Sequence, residues 1–117
     1  MTFYGPRDSL DWYKKQLNLL QEAIGQETMV QQAQHLQTFF NQDLWPLISQ
    51  LELSQHQSQW HAAITEMHRH MRLLSLEISF AKAARQGDTQ QQRLAQIEQR
   101  LQELRGFTQA LLSLLTH

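Results

Sequence analysis

The sequence predicts an all-α fold, an antiparallel up-down-up-down four-helix bundle with long third and fourth helices. Three observations point to it. The chain holds 20 Gln and 19 Leu in 117 residues, both good helix formers, against four Gly and two Pro. Apolar residues recur at steps of three and four, the spacing of one helical face. Period-2 alternation is absent, so no strand is expected. A Gln-rich tract can also be disordered, but these Gln residues alternate with apolar ones at helical spacing and read as an uncharged solvated face.

Residues 1–7 (MTFYGPR) read as an N-terminal arm, because Gly5-Pro6 is a breaker pair, and residues 8–117 as one helical domain. Asp8 or Ser9 is expected to cap a first helix over about 9–24, with Leu10, Tyr13, Leu17, Leu20 and Ile24 inward. Gly25 follows as the residue past its end. The second helix is expected from Thr28 to about Leu51, with Val30, Ala33, Leu36, Phe40, Leu44, Leu47, Ile48 and Leu51 on one face. Pro46 interrupts it. A mid-helix Pro removes a backbone bond and clashes with the carbonyl four residues back, so a kink is expected near Phe39–Pro46.

The third helix is expected over about 56–86 and carries two stripes. One is Trp60, Ile64, Met67, Met71, Leu74, Ile78, Ala81 and Arg85; the other is Leu73, Leu76, Phe80 and Ala84. Two stripes imply neighbours on two sides, which would make this helix the most buried. Gly87 is expected to end it, and Asp88-Thr89 to open the fourth through a capping-box spacing with Gln91 or Gln92. Leu94, Ile97, Leu101, Leu104, Thr108, Leu111 and Leu115 then recur in near-heptad steps. The short turn makes the last two helices a hairpin. The first helix spans about half of a 30-residue partner at 1.5 Å per residue, so part of the hairpin is expected to project or to be covered by a second copy.

Composition excludes several function classes. There is no Cys, so disulfide scaffolds, thiolate zinc sites and Cys nucleophiles are ruled out. Ten Lys+Arg against eleven Asp+Glu is a poor footprint for nucleic acid or an anionic membrane. No apolar run exceeds three residues, far short of a membrane span. The opening MTFYGPRDS has neither a basic stretch nor an apolar one of signal-peptide kind, so the cytoplasm is the expected compartment.

Candidate chemistry is sparse. No Glu is followed three residues on by His, and no His pair stands four apart, so His35, His56, His61, His68, His70 and His117 form no helical metal motif. They read as solvated surface histidines. The four Gly, at 5, 25, 87 and 106, are isolated and build no phosphate loop. No cofactor and no catalytic group are expected. Glu77 lies between the two apolar stripes and needs a cationic partner, with Arg69, Arg72, Arg100 and Arg105 as candidates. Arg69, Arg72, Lys82, Arg85, Arg93 and Arg100 interleave with Glu77, Glu98 and Glu103, a mixed-charge surface rather than a basic stripe. Trp12, Leu19, Phe39, Trp45 and Leu53 fall off the core stripes, and Phe3 and Tyr4 sit on the arm. Aromatic residues outside a core are enriched at protein interfaces. The competing reading is that the kinked second helix turns its own inward.

The stretch Arg72-Leu73-Leu74-Ser75-Leu76-Glu77-Ile78-Ser79-Phe80-Ala81-Lys82-Ala83-Ala84-Arg85-Gln86 resembles the central segment of the cyanobacterial PatD family, small all-helical proteins associated with heterocyst frequency. There, an R-L-L run leads to A-A-R-Q, a polar turn, Q-Q-R and a Leu-rich last helix. Here Gln90-Gln91-Gln92-Arg93 and Leu94–Leu115 stand in those places, over about residues 70–112. The resemblance implies a regulatory, non-catalytic protein that modulates assembly of the tubulin-like division protein FtsZ, and so cell division and heterocyst differentiation. On that reading the expected partner surface is Arg72, Leu73, Glu77, Phe80 and Arg85, with Phe39 and Trp45 second. Core packing is the competing role for Leu73 and Phe80. The alternative function is a DNA- or transcription-factor-associated developmental regulator, and a homodimer is a second expected assembly.

Overall fold

A computed structural model describes residues 5–84 and 87–116. Its elements are α1 (Pro6–Ala23), α2 (Met29–Phe39), a π-helical turn (Phe40–Leu44), α3 (Trp45–Gln50), α4 (Gln57–Ala83) and α5 (Gly87–Leu115). The described residues contain no strand, and α2, the π turn and α3 run on without a break as one rod. No helix among them is long and apolar enough to cross a membrane.

Helix α1 starts earlier than the Asp8–Ser9 signal. Pro6 opens it, because its fixed φ suits a first turn and its missing N–H would find no partner there. Asp8 instead sits inside the first turn, where its charge complements the helix dipole. Of the expected arm, Pro6 and Arg7 are therefore helical, and Phe3 and Tyr4 lie outside the described residues. The far end follows expectation: Gly25 takes a left-handed φ of 79° and the Gln26 N–H donates back to the Ala23 carbonyl at 2.8 Å.

The expected kink is a π turn. The Trp45 N–H donates to the Phe40 carbonyl, five residues back. Leu36, Phe40, Leu44 and Ile48 are spaced by fours, and such a row drifts about 40° per step round an α-helix. One extra residue in the turn resets the drift, and all four side chains end 0–1% exposed. Phe39, the last residue of α2, is buried at 9% exposure, which corrects its expected place on a surface. Pro46, whose ring would crowd the Gln42 carbonyl in a regular α-helix, begins α3 on the exposed side.

Helix α4 buries one stripe as expected: Trp60, Ile64, Met67, Met71, Leu74, Ile78 and Ala81. Trp60 also closes the end of α3, its indole N–H donating to the Ile48 carbonyl at 2.9 Å. The second stripe does not pack. Leu76 is 54% and Phe80 50% exposed, and Leu73 is only half-buried. Helix α5 lies along one flank of α4 and α2 along the other, and the second stripe falls on the outer face between them. Helix α4 stops at Ala83, and Gly87 opens α5 rather than ending α4. Asp88 and Thr89 consequently lie within the first turn of α5 and not at the capping position ahead of it. Along α5, Ile97, Leu101, Leu104, Thr108 and Leu111 are buried at steps of four and three.

Cross-helix contacts set the layout. Phe80 meets Arg93, Glu77 meets Arg100, and His70 meets Phe107, so α5 descends as α4 rises. Asn18 meets Arg105, Lys14 meets Gln109, and Leu94 lies against Gly25. Helix α1 with its turn thus covers α5 from 94 to 109, and the half-projecting hairpin is not seen. Gln37 donates to the Met71 carbonyl at 2.9 Å, joining α2 to α4. In the centre, Tyr13 is fully buried and its hydroxyl donates to Met71 Sδ at 2.9 Å. Burial pushes that phenol's pKa far up, so it stays neutral.

Candidate functional site

The outer side of the α4–α5 pair collects Leu73, Glu77 and Phe80, three of the seven residues singled out for a partner. Leu73, Leu76, Glu77 and Phe80 from α4 line a shallow groove with Arg93, Gln96, Gln99, Arg100 and Glu103 from α5. Leu73, Leu76 and Phe80 stand at i, i+3 and i+7, so they form one stripe by helix geometry alone.

The groove floor is a polar network. Arg100 grips Glu77 with two parallel bonds, Nε to Oε1 and Nη2 to Oε2, both 2.9 Å. This is the cation expected for Glu77, and the two side chains are 19% and 16% exposed. The third donor, Arg100 Nη1, reaches Glu103 Oε2 at 3.1 Å and His70 Nδ1 at 2.8 Å. The bonds to Glu77 raise the Arg100 pKa and keep it a fixed cation.

His70 corrects the expectation of surface histidines. It is 5% exposed and its ring lies edge-on to Phe107 at 4.9 Å. Burial, then the neighbouring Arg100 charge, lowers its pKa, and these outweigh the carboxylates of Glu103 and Glu66. Each nitrogen of the ring faces one guanidinium and one carboxylate: Nδ1 lies 2.8 Å from Arg100 Nη1 and 2.9 Å from Glu103 Oε2, and Nε2 lies 3.3 Å from Arg69 Nη2 and 3.6 Å from Glu66 Oε2. Glu66 itself is held ionised chiefly by the Arg69 hydrogen bond, at 2.8 Å from Nη2, and its pKa falls. His68 also leaves the surface class: it is half-buried, with its ring 4.4 Å from that of Trp45. His35 and His61 are exposed as expected, and His117 lies outside the described residues.

The rim is apolar and cationic. Phe80 carries the Arg93 guanidinium 5.1 Å from its ring centre. Arg72 is exposed and lines an adjoining hollow with Gln37, Phe40, Asn41, His68 and Met71; Leu76 borders both depressions. Phe39 is not on this face: it is buried, with its edge in a separate depression beside Trp12 and His35. Trp45 is half-buried and packs on Phe40 and His68, so it is committed to the core more than expected. Arg85 lies outside the described residues.

Sequence reasoning missed His70, although its position three after Met67 and four before Leu74 put it on the edge of the buried stripe. Among the described residues no three His, Asp or Glu side chains gather into a metal-binding set. Glu66, Glu77, His70 and Glu103 are engaged by Arg69 and Arg100 instead.

Comparison with known proteins adds a family. No curated protein and no solved structure gives a significant match. The sequence profile of the CRR41 C-terminal domain matches residues 47–105, which take in α4, most of α3 and the part of α5 that lines the groove. That stretch is half of the 117 residues, and the chain belongs to the CRR41 C-terminal domain family.

Proposed function

We propose that this chain is a non-catalytic interaction protein that docks a protein partner on the α4–α5 face. The resemblance to the PatD family supplies the partner, an FtsZ-like division protein, and the consequence, modulated filament assembly with effects on cell division and heterocyst differentiation. The compartment is the cytoplasm. The proposal includes an antiparallel up-down-up-down bundle, which the pairings Glu77–Arg100, Asn18–Arg105 and Gln37–Met71 support.

One observation carries the reading. Leu76 and Phe80 are two of the three large apolar side chains exposed among the described residues, and they adjoin each other. A Phe under an Arg, beside an ion network already locked in place, is the composition of an interface hot spot: anchors that gain by burial, on a surface that need not reorganise.

Co-sedimentation with GTP-polymerised FtsZ, with light scattering alongside, tests it. Saturable co-pelleting is expected, and Phe80→Ala should weaken it about tenfold or more, since hot-spot truncations cost about 2 kcal/mol. Absence of binding by the unaltered chain across salt and protein concentration would remove FtsZ as partner.

A further inference from the structure

Resting on that docking reading, we infer that the segment received by this face is acidic and amphipathic: a helix with apolar anchors about one turn apart and carboxylates flanking them. The charge distribution argues it. Every carboxylate of the face is already engaged, Glu66 by Arg69 and both Glu77 and Glu103 by Arg100. Glu98 stands two residues before Arg100, about 200° round α5 and away from the groove. Among the described residues no carboxylate pairs with two guanidinium groups beside the apolar stripe, Arg72 and Arg93.

Arg93 shows how a carboxylate would be met. Its guanidinium carbon lies 5.1 Å from the Phe80 ring centre, and its Nη1 makes only a 3.5 Å contact to Gln96 Oε1. A guanidinium held over a ring by cation–π attraction keeps N–H donors for a carboxylate, so one residue can be anchor wall and charge partner together. Leu73, Leu76 and Phe80 lie between Arg93 on α5 and Arg72 on α4, so apolar contact and charge contact fall on one ligand strip.

The same charges argue against a second copy as occupant. Two such faces brought together would juxtapose Arg72 and Arg93 with their counterparts while no carboxylate is left over, and like charges across an interface cost several kcal/mol.

Fluorescence anisotropy with three synthetic helix-forming peptides decides it. All carry Leu and Phe at one spacing; the flanking residues are Glu, Gln or Lys. The Glu peptide should bind at least about tenfold tighter than the Lys peptide, with the difference shrinking as salt rises. Arg72→Glu with Arg93→Glu should reverse the order, and circular dichroism confirms that this variant is folded. Equal binding of the Glu and Gln peptides by the unaltered chain, with no salt dependence, overturns the inference and needs no variant. A stable dimer by sedimentation equilibrium that Leu76→Glu dissociates would overturn it too. If FtsZ fails to bind and the Glu preference holds, the partner's identity falls and the ligand chemistry stands. If FtsZ binds with no charge preference, the reverse follows.

Discussion

His70 is held neutral first by burial and then by the neighbouring Arg100 and Arg69 guanidinium groups, and that has a pH consequence. Arg69 and Glu66 face it from its own helix, and Arg100 and Glu103 from α5. A histidine whose folded pKa lies below its unfolded value of 6.5 binds a proton more readily when the chain is unfolded. Its contribution to stability is complete above 6.5 and is lost as pH falls from there through the lowered folded pKa. The melting temperature should therefore decline on acidification below about 6.5, and His70→Asn should flatten that decline. Glu66, with its pKa also lowered, acts in the same direction but only below the ordinary carboxylate value of 4.5, so the two windows separate in a pH titration of melting. A melting temperature flat from pH 7.5 to 5.5 would show that His70 is not differentially protonated.

At the scale of elements, the α4–α5 seam and the α1–α2 turn depend on single residues. Arg100 satisfies Glu77, Glu103 and His70 at once. Arg100→Met would leave two carboxylates and a buried ring nitrogen without their donor, and should cost about 1–3 kcal/mol by urea unfolding, less than for a fully buried pair because water reaches the groove. Adding Glu77→Leu should recover part of that loss. Gly25 holds φ at 79°, and a Cβ placed there would meet Leu94 Cδ1 at an ordinary 3.5 Å. The cost of Gly25→Ala is thus conformational, about 1–2 kcal/mol, and not steric. The π turn was legible only as a disturbance. Pro46 announced trouble in the second helix, but whether a kink or an added residue resolves it depends on what Phe40, Leu44 and Ile48 pack against.

Across the whole molecule, α4 is a wall with one clean side. Leu76 and Phe80 are about half exposed and meet only the rim of α5, so they contribute little to folding. Phe80→Ala should shift stability by no more than about 0.5 kcal/mol, a degree or two in melting temperature, while abolishing most partner binding. A loss of several kcal/mol would instead make Phe80 structural. The groove was half legible in advance. Leu73, Glu77 and Phe80 share a face by spacing alone, and Glu77 required a cation. That Arg100 supplies it, that Arg93 sits over Phe80, and that Phe39 turns inward are outcomes of packing between segments far apart in the chain.

Periodicity along 117 residues was enough to specify helices, the turn at Gly25, the buried stripes of α1, α4 and α5, and the need of Glu77 for a partner. All of these follow from interactions within four residues or from the bare cost of burying a charge. Which stripe of α4 is covered, which histidine is enclosed and where the free guanidinium groups lie were decided only by the assembled helices. Those properties belong to the contact between α4 and α5, and a local pattern carries no record of which side its neighbour will occupy.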